Sequence, residues 1–189
     1  DWNADGRTDF AVGAYAYSTN TGRAYIFHND GSIPTTAGTA DITITGETTS
    51  NRFGISLTGG DWNADGKTDL AVGSQQYSSS TGRAYLFYNG SIITENASGA
   101  DIIITGETTS NYFGNALTSG DFNADGKTDL AVGAYGYSSS KGRVYIYTFN
   151  DPVLTGESGS QFGNALTAGD WNADGKTDLA VSAYTYSTN

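Results

Sequence analysis

The chain of 189 residues has no cysteine and no methionine, only two prolines and a single histidine. Without cysteine there is no disulfide framework and no thiol chemistry, and the cysteine content does not indicate a cellular compartment. No apolar run approaches the roughly 20 residues that a membrane-spanning helix needs. The histidine, His28, lies at the end of a predicted strand, where we expect a turn or surface residue. The sequence therefore predicts no membrane span and no histidine-based site.

Basic residues are also scarce: the chain has nine Lys and Arg but 20 Asp and Glu, which gives a formal net charge of -11. This balance argues against a nucleic-acid partner, because a phosphate backbone is bound by basic surfaces. Glycine and tyrosine are abundant instead, with 26 and 13 residues. Such a composition is typical of a β protein that is rich in turns.

An aspartate-rich segment occurs four times with few changes and begins at Asp1, Asp61, Asp121 and Asp170. The starts are 60, 60 and 49 residues apart, and periods of this size indicate a repeat architecture. Each copy holds three aspartates, so the four copies contain 12 of the 20 acidic residues. One divalent cation in each copy would bring the formal charge to about -3. The acidity is thus concentrated in the repeated segments.

The second copy, "DWNADGKTD", shows the chemistry that such a segment can perform. Its side-chain oxygens fall at alternating positions, at Asp61, Asn63, Asp65 and Asp69, and Gly66 stands where a tight turn needs it. Calcium takes six to eight oxygen ligands from carboxylates, amides and backbone carbonyls, and the Lys67 carbonyl is a suitable backbone ligand. No histidine or cysteine is near, so zinc and copper are poorly served. The segment predicts a calcium-binding loop.

Two alternatives compete with this interpretation. Asp, Asn and Gly also favour turns without a metal, but turn chemistry alone would tolerate Ser, Gly or Asn at these places, whereas the four copies keep the same ligand residues. An EF-hand loop needs a glutamate at its twelfth position and flanking helices. The twelfth position here is a valine in every copy, and the residues that follow alternate like a strand. We therefore favour a metal-binding loop between two strands.

One full unit, read from Phe53, contains four predicted strands: "FGISLTGGDW", "TDLAVGS", "RAYLFYN" and "ADIIITG". Four short strands in 50 to 60 residues match one blade of a β-propeller, with the aspartate loop between the first two strands. The predicted fold is all-β, with about three and a quarter blades of four antiparallel strands. The units are a partial blade over 1–52, full blades over 53–112 and 113–161, and a partial blade over 162–189.

At this point the units resemble FG-GAP repeats, the modules of the integrin α-subunit β-propeller. The resemblance is carried by the pairs Phe53-Gly54, Phe113-Gly114 and Phe162-Gly163, and by "GAY" at 13–15 and 133–135. The chain departs from the motif where Tyr replaces the Pro of "GAP" and where "GSQ" and "SAY" stand in the second and fourth copies. About three blades are too few to close a ring, because propellers have about four to eight.

The resemblance implies that each loop binds calcium through three aspartates, one asparagine and the carbonyl of the intervening basic residue. The implied ligands are Asp1, Asn3, Asp5, Arg7 and Asp9; Asp61, Asn63, Asp65, Lys67 and Asp69; Asp121, Asn123, Asp125, Lys127 and Asp129; and Asp170, Asn172, Asp174, Lys176 and Asp178. No other cofactor is predicted.

The function expected from these features is an extracellular or cell-surface module for adhesion, recognition or surface structure, in which calcium stiffens the loops. Its partner would be a protein or a glycan. No catalytic constellation is recognised, so we expect no enzyme activity. The alternative is a carbohydrate-binding propeller that stacks sugars on Trp2, Trp62 and Trp171 and on the tyrosine-rich turns "YAYS", "YGYS" and "YTYS". The incomplete blades favour a segment of a longer array over self-association through unpaired edge strands.

Overall fold

The computed structural model describes residues 1–32, 34–90, 95–148, 153–156 and 158–184. These residues form thirteen strands in four antiparallel sheets, with only single turns of helix between them. Two sheets have four strands, one has three and one has two. The prediction of an all-β chain built from four-stranded antiparallel blades is confirmed, and the sheets do not close into a ring.

The sheets follow one another along the chain. The first contains β1 (Phe10–Ala14), β2 (Arg23–Phe27) and β3 (Ile42–Thr45), and the second contains β4 (Phe53–Gly60), β5 (Asp69–Ser74), β6 (Arg83–Phe87) and β7 (Ile102–Thr105). The third contains β8 (Leu117–Gly120), β9 (Asp129–Ala134), β10 (Arg143–Tyr147) and β11 (Val153–Thr155), and the fourth contains β12 (Phe162–Gly169) and β13 (Asp178–Ala183). Within each sheet, strands that follow each other in sequence are hydrogen-bonded neighbours.

The helices α1 (Tyr17–Asn20), α2 (Tyr77–Ser80) and α3 (Tyr137–Ser140) occupy the tyrosine-rich turns between β1 and β2, between β5 and β6, and between β9 and β10. Residues within them have positive φ, so they are tight turns more than regular helices. Short 3₁₀ turns lie at Ala37–Thr39 and Ala97–Gly99. None of the helices in the described ranges has the length and apolar character of a membrane span. The division into units at 52/53, 112/113 and 161/162 stays a prediction, because linker residues separate one sheet from the next.

The hydrophobic core consists of layers between successive sheets. All six residues of β5 are buried, because both faces of this strand are covered. Leu70 and Val72 pack with Phe53 and Tyr85 in the layer between the first and second sheets. Ala71, on the opposite face of β5, belongs to the layer between the second and third sheets. Because side chains alternate between the two faces of β5, this strand packs against both neighbouring sheets.

The glycines of the FG and GAP motifs meet across the blade boundary. Gly73, on β5, lies against the backbone carbonyl of Gly114, at the start of the next unit, so closely that a β-carbon on Gly73 would overlap that oxygen. Gly114 itself has a φ of 80°, a conformation that favours glycine. The same approach occurs between Gly13 and Gly54 and between Gly133 and Gly163. The two motifs are therefore complementary halves of one backbone contact.

A glutamate in the linker between sheets also joins neighbouring blades. The Arg83 Nη1 and the Tyr85 hydroxyl each donate to Glu47 Oε1 at 2.8 Å. Burial and the neighbouring Glu47 carboxylate raise the pKa of the Tyr85 hydroxyl far above its usual range, so it stays a donor. One unit later, Arg143 donates to Glu107 at 3.0 Å. Glu47 and Glu107 thus each place a carboxylate on the third strand of the following sheet.

Candidate metal centres

The aspartate loops occupy equivalent places in the fold. Residues 61–68 connect β4 to β5, residues 121–128 connect β8 to β9, and residues 170–177 connect β12 to β13. The loop at the amino-terminal end leads into β1 in the same way. All twenty predicted ligand residues lie in the described part of the chain, and the structure groups them as four loops of five.

The backbone of each loop bends at the same two residues. In the second loop, Ala64 has a φ of 58° and Gly66 a φ of 83°, and the other loops repeat both values within a few degrees. No heavy atom lies within 4 Å of a β-carbon built on Gly66, so glycine is needed there for its φ and not for space. An alanine with positive φ is uncommon and costs energy. The contacts around the loop must offset that cost.

Hydrogen bonds from the loop to its own acidic side chains provide such contacts. The two oxygens of Asp61 accept the backbone N–H groups of Asp65 at 3.1 Å and of Gly66 at 2.9 Å. Asn63 Oδ1 also accepts from the Asp65 N–H at 3.0 Å, and Asp65 Oδ1 accepts from the Lys67 N–H at 2.9 Å. The other three loops contain the same bonds. Since a carboxylate oxygen has two lone pairs, these oxygens retain acceptor capacity.

The last aspartate of each loop has a structural role that the sequence did not reveal. Asp69 is fully buried, and its Oδ2 accepts the Trp62 N–H at 3.0 Å while its Oδ1 accepts the Asn89 N–H at 2.8 Å. One carboxylate therefore anchors the start of the loop and the chain that leaves β6. Asp129 occupies the same position in the third sheet, also buried, and accepts from the Phe122 N–H. Its constant place at the ninth position of every loop was the only signal in the sequence.

The charges within a loop repel one another. Burial raises the pKa of Asp69, hydrogen bonds from Asn89 and Trp62 oppose that change, and the nearby Asp65 and Asp61 carboxylates raise it further. The pKa of Asp129 is also raised, by burial first and then by the Asp125 and Asp121 carboxylates. In the described ranges, no Lys, Arg or His nitrogen lies within 4.0 Å of any of the twelve loop aspartates. The loop aspartates thus form no ion pair in these ranges. In the first loop, burial raises the pKa of Asp9, but the N–H groups of Asn29, Trp2 and Asn3 and the nearby His28 outweigh burial, so the pKa of Asp9 is lowered.

The donor set fits a hard cation. Each loop offers carboxylates, one amide oxygen and backbone carbonyls, which are the ligands that calcium prefers, and no nitrogen or sulfur ligand. Among the described residues, no three Asp, Glu, His or Cys side chains stand close enough to form a metal site by themselves. A cation would therefore have to draw the carboxylates together, with the amide and carbonyl oxygens completing the set.

The three tryptophans and the histidine singled out in the sequence differ in their surroundings. Trp2 packs against the core between the first and second sheets, and Trp62 against the core between the second and third. Trp171 is 57% exposed. His28 follows β2 directly and is partly buried, with its Nδ1 3.8 Å from Asp41 Oδ1. Packing thus engages two of the three tryptophans predicted as sugar-stacking residues.

Comparisons with known proteins agree with the repeat pattern. A family model described as FG-GAP repeat matches residues 113–147 and 162–189, and one described as FG-GAP-like repeat matches residues 1–72. Together these matches include all four aspartate loops: the FG-GAP-like model covers the loops at 1–9 and 61–69, and the FG-GAP model covers those at 121–129 and 170–178.

Similar stretches occur in much larger proteins. The chain is 39% identical over 109 residues to human phosphatidylinositol-glycan-specific phospholipase D, which covers 51% of the chain and 13% of that protein. It is 42% identical over 90 residues to mouse integrin alpha-M, covering 46% of the chain and 8% of the integrin. It is 35% identical over 116 residues to integrin alpha-PS2 of Drosophila melanogaster, covering 57% of the chain and 8% of that integrin. The chain thus spans a small fraction of the relatives it matches, and by its family matches it belongs to the FG-GAP repeat proteins.

Proposed function

We propose that the chain is a calcium-stabilised, extracellular recognition module of the integrin α type. The observation that carries this proposal is the fourfold repetition of one loop, with twelve aspartates that have no basic partner within 4.0 Å among the described residues. A cation bound by each loop would offset the mutual repulsion of its carboxylates. Calcium suits an all-oxygen set of this size better than magnesium, which demands a tighter octahedral geometry.

Calcium would act mechanically in this proposal. Three of the loops join two strands of a sheet and the fourth leads into β1, and in the loop at 61–69 the last aspartate is built into the sheet itself. Closing the carboxylates around a cation would fix the angle at which the two strands leave the loop. The blade interfaces depend on that angle, because Leu70 and Val72 follow directly and pack against the neighbouring sheet. Cation binding would therefore contribute to folding free energy.

The setting and partner are proposed from the relatives. Integrin α subunits are cell-surface proteins, and repeats of this type in them support an adhesion-related role for the module. Extracellular calcium is plentiful enough to fill sites of modest affinity. We infer that the chain binds a protein or glycan partner and has no catalytic activity of its own. Its similarity to a phospholipase covers only 13% of that enzyme, so the shared part is a repeat module and not a whole enzyme.

A double substitution in one loop separates metal binding from turn formation. Asparagine keeps the shape of aspartate and one acceptor oxygen, so it removes the charge and, at Asp61, one of the two bonds from the Asp65 and Gly66 N–H groups. We expect Asp61→Asn with Asp65→Asn to abolish binding at the second loop and to lower the melting temperature in calcium by about 3 to 8 °C. In a calcium chelator the same variant should lose only about 2 °C, because the one hydrogen bond lost at Asp61 is partly offset by the removal of two repelling charges. Differential scanning calorimetry in both buffers provides the measurement.

The matched control is Asp30→Asn with Asp41→Asn, which removes two acidic charges outside the loops. The control should change the melting temperature equally in calcium and in chelator. If the loop variant also behaved identically in the two buffers, the aspartates would be turn residues and the calcium proposal would be wrong. Failure of a partner search would not affect this test, because it reads metal binding alone.

A further inference from the structure

The outer strand of the second sheet is more exposed than the outer strand of the first. The strand pairing places Ile44 on β3 and Ile104 on β7 at equivalent positions. Ile44 is fully buried, whereas Ile104 is half-buried. Ile102 on β7 is 39% exposed, whereas its counterpart Ile42 is half-buried. Both strands are followed by a further sheet, so the difference comes from what lies over them.

A segment of the second sheet's own connection covers β3. We call residues 95–100, which lie between β6 and β7, the strap. The Thr45 N–H donates to the Glu95 carbonyl at 2.8 Å, and the next residue of the strap forms a parallel bridge with Thr45. Ala97 of the strap is fully buried and packs with Ile44 in the layer between the first and second sheets. The strap therefore pairs with the outer edge of β3 and closes this layer with a small side chain.

The corresponding connection in the third sheet is shorter. Arg83 donates to Thr105, which lies 22 residues further along the chain, but Arg143 donates to Thr155, which lies only 12 residues further. The connection between β10 and β11 is therefore ten residues shorter than the one that contains the strap. In the described part of the chain, no carbonyl of a neighbouring segment accepts the Thr105 N–H, which is the counterpart of the Thr45 N–H. The outer edge of β7 thus keeps a main-chain donor.

A groove of about 390 Å³ opens beside β7 at the place that the strap closes one sheet earlier. Its apolar lining comes from Trp62, Leu86, Ile102, Ile104 and Tyr147. Trp62, Ile104 and Tyr147 also pack against the core between the second and third sheets. The groove is therefore continuous with an interface that already holds two sheets together.

A buried carboxylate oxygen also borders this groove. Asp129 is 1% exposed, and its Oδ2 accepts the Phe122 N–H at 2.8 Å. In the second loop the other oxygen of the equivalent Asp69 accepts the Asn89 N–H, so it faces the chain that leaves β6. Among the described residues, however, Asp129 Oδ1 has no hydrogen-bond partner. A buried acceptor without a donor is unfavourable, and a group that enters the groove could supply the donor.

We infer that the groove beside β7 binds an extended segment of a partner protein in the way that the strap covers β3. A carbonyl of this segment accepts the Thr105 N–H, and a small apolar side chain enters between Ile102 and Ile104. A donor of the segment reaches Asp129 Oδ1. Main-chain pairing at a sheet edge supplies affinity, and the apolar pocket selects the side chain. The inference rests on the recognition role proposed above and names the chemistry of the partner.

The strap itself provides the probe for a test. A peptide with the sequence of residues 93–101 and blocked ends is titrated into the ¹⁵N-labelled chain in saturating calcium. We expect chemical-shift changes at the amides of residues 102–105 and at the Trp62 indole, with a dissociation constant of about 1 mM or below. Ile102→Ser in the chain and Ala97→Asp in the peptide should each weaken binding by at least about tenfold.

Two controls decide whether binding occurs in the groove. Ile103 is the next residue of β7 and is 38% exposed, but its side chain points to the other face of the strand. Ile103→Ser should therefore change the affinity by less than about twofold. Replacing residues 148–152 with a copy of residues 88–102 gives the third sheet a strap of its own and should abolish binding.

The outcomes separate this inference from the proposed function. An absence of shifts at about 5 mM peptide would overturn it, as would equal losses for the two isoleucine variants. If the chain alone sedimented as a dimer that the copied strap dissociates, the occupant would be a second copy and our assignment would be wrong. Calcium titration and melting of the same samples test the calcium-stabilised module separately. A chain that calcium stabilises but that does not bind the peptide would therefore overturn this inference alone.

Discussion

Calcium removal is expected to lower the melting temperature of this chain by more than about 10 °C. A ligand at 100 times its dissociation constant stabilises the folded state by about 2.7 kcal/mol per site, and a domain of this size shifts by about 2 to 4 °C per kcal/mol. Four loops with similar ligand residues would together give a large effect. The physical cause is the repulsion within each loop, which the raised pKa values of Asp69 and Asp129 already reflect after burial.

Magnesium and ionic strength provide the controls for that experiment. Magnesium at the same concentration should restore much less of the melting temperature, because it binds poorly to a set of many protein oxygens. Sodium chloride at matched ionic strength screens exposed charges without entering the loops, so it should also restore little. Equal restoration by sodium chloride would mean that general screening, and not a bound ion, stabilises the loops.

Substitution of Gly73 by alanine should strongly destabilise the protein. The added β-carbon would overlap the Gly114 carbonyl oxygen and the Ser56 hydroxyl. The first of these atoms belongs to the backbone of the next unit and cannot rotate away, so the two sheets must separate. Overpacking of this kind costs about 1 to 3 kcal/mol and sometimes more. We expect Gly73→Ala to lower the free energy of unfolding by about 3 kcal/mol, the upper end of this range, as measured by urea denaturation.

Gly38 offers a matched control on the surface. The nearest heavy atom to a β-carbon on Gly38 is Thr36 Oγ1 at 4.0 Å, and the residue lies in an exposed 3₁₀ turn. Gly38→Ala should change the free energy of unfolding by less than about 0.5 kcal/mol. A similar small loss for Gly73→Ala would show that the FG and GAP glycines do not form a tight contact between blades.

Much of the fold followed from the sequence because the repeats are nearly identical. The alternation in "DLAVG" predicted the second strand of every sheet, and the structure places strands at Asp69–Ser74, Asp129–Ala134 and Asp178–Ala183. The turn between the second and third strands was predicted, but its tight helical turn with Ser78 and Ser79 at positive φ was not. Such local geometry depends on hydrogen bonds across the turn, such as Thr81 N–H to Ser78 O, that sequence pattern does not specify.

The candidate site was predicted less completely. The grouping of the candidate ligands into four equivalent loops followed from the repeated spacing, and their convergence on one cation stays a prediction. The anchoring role of Asp69 did not, because it depends on the N–H of Asn89, which lies 20 residues away. The bond between Glu47 and Arg83 was also missed, since it joins residues 36 apart in neighbouring blades. Contacts between blades require a knowledge of how sheets stack, and a periodic sequence does not provide it.

The most direct test of the account is a calorimetric titration of the chain with calcium after complete removal of bound metal. The loops at Asp1, Asp61, Asp121 and Asp170 carry the same ligand residues. The account therefore predicts binding of close to four ions per chain, with protein folded throughout the titration. A titration without binding heat at several temperatures, with unchanged melting in calcium, would contradict it and leave the aspartates as turn residues.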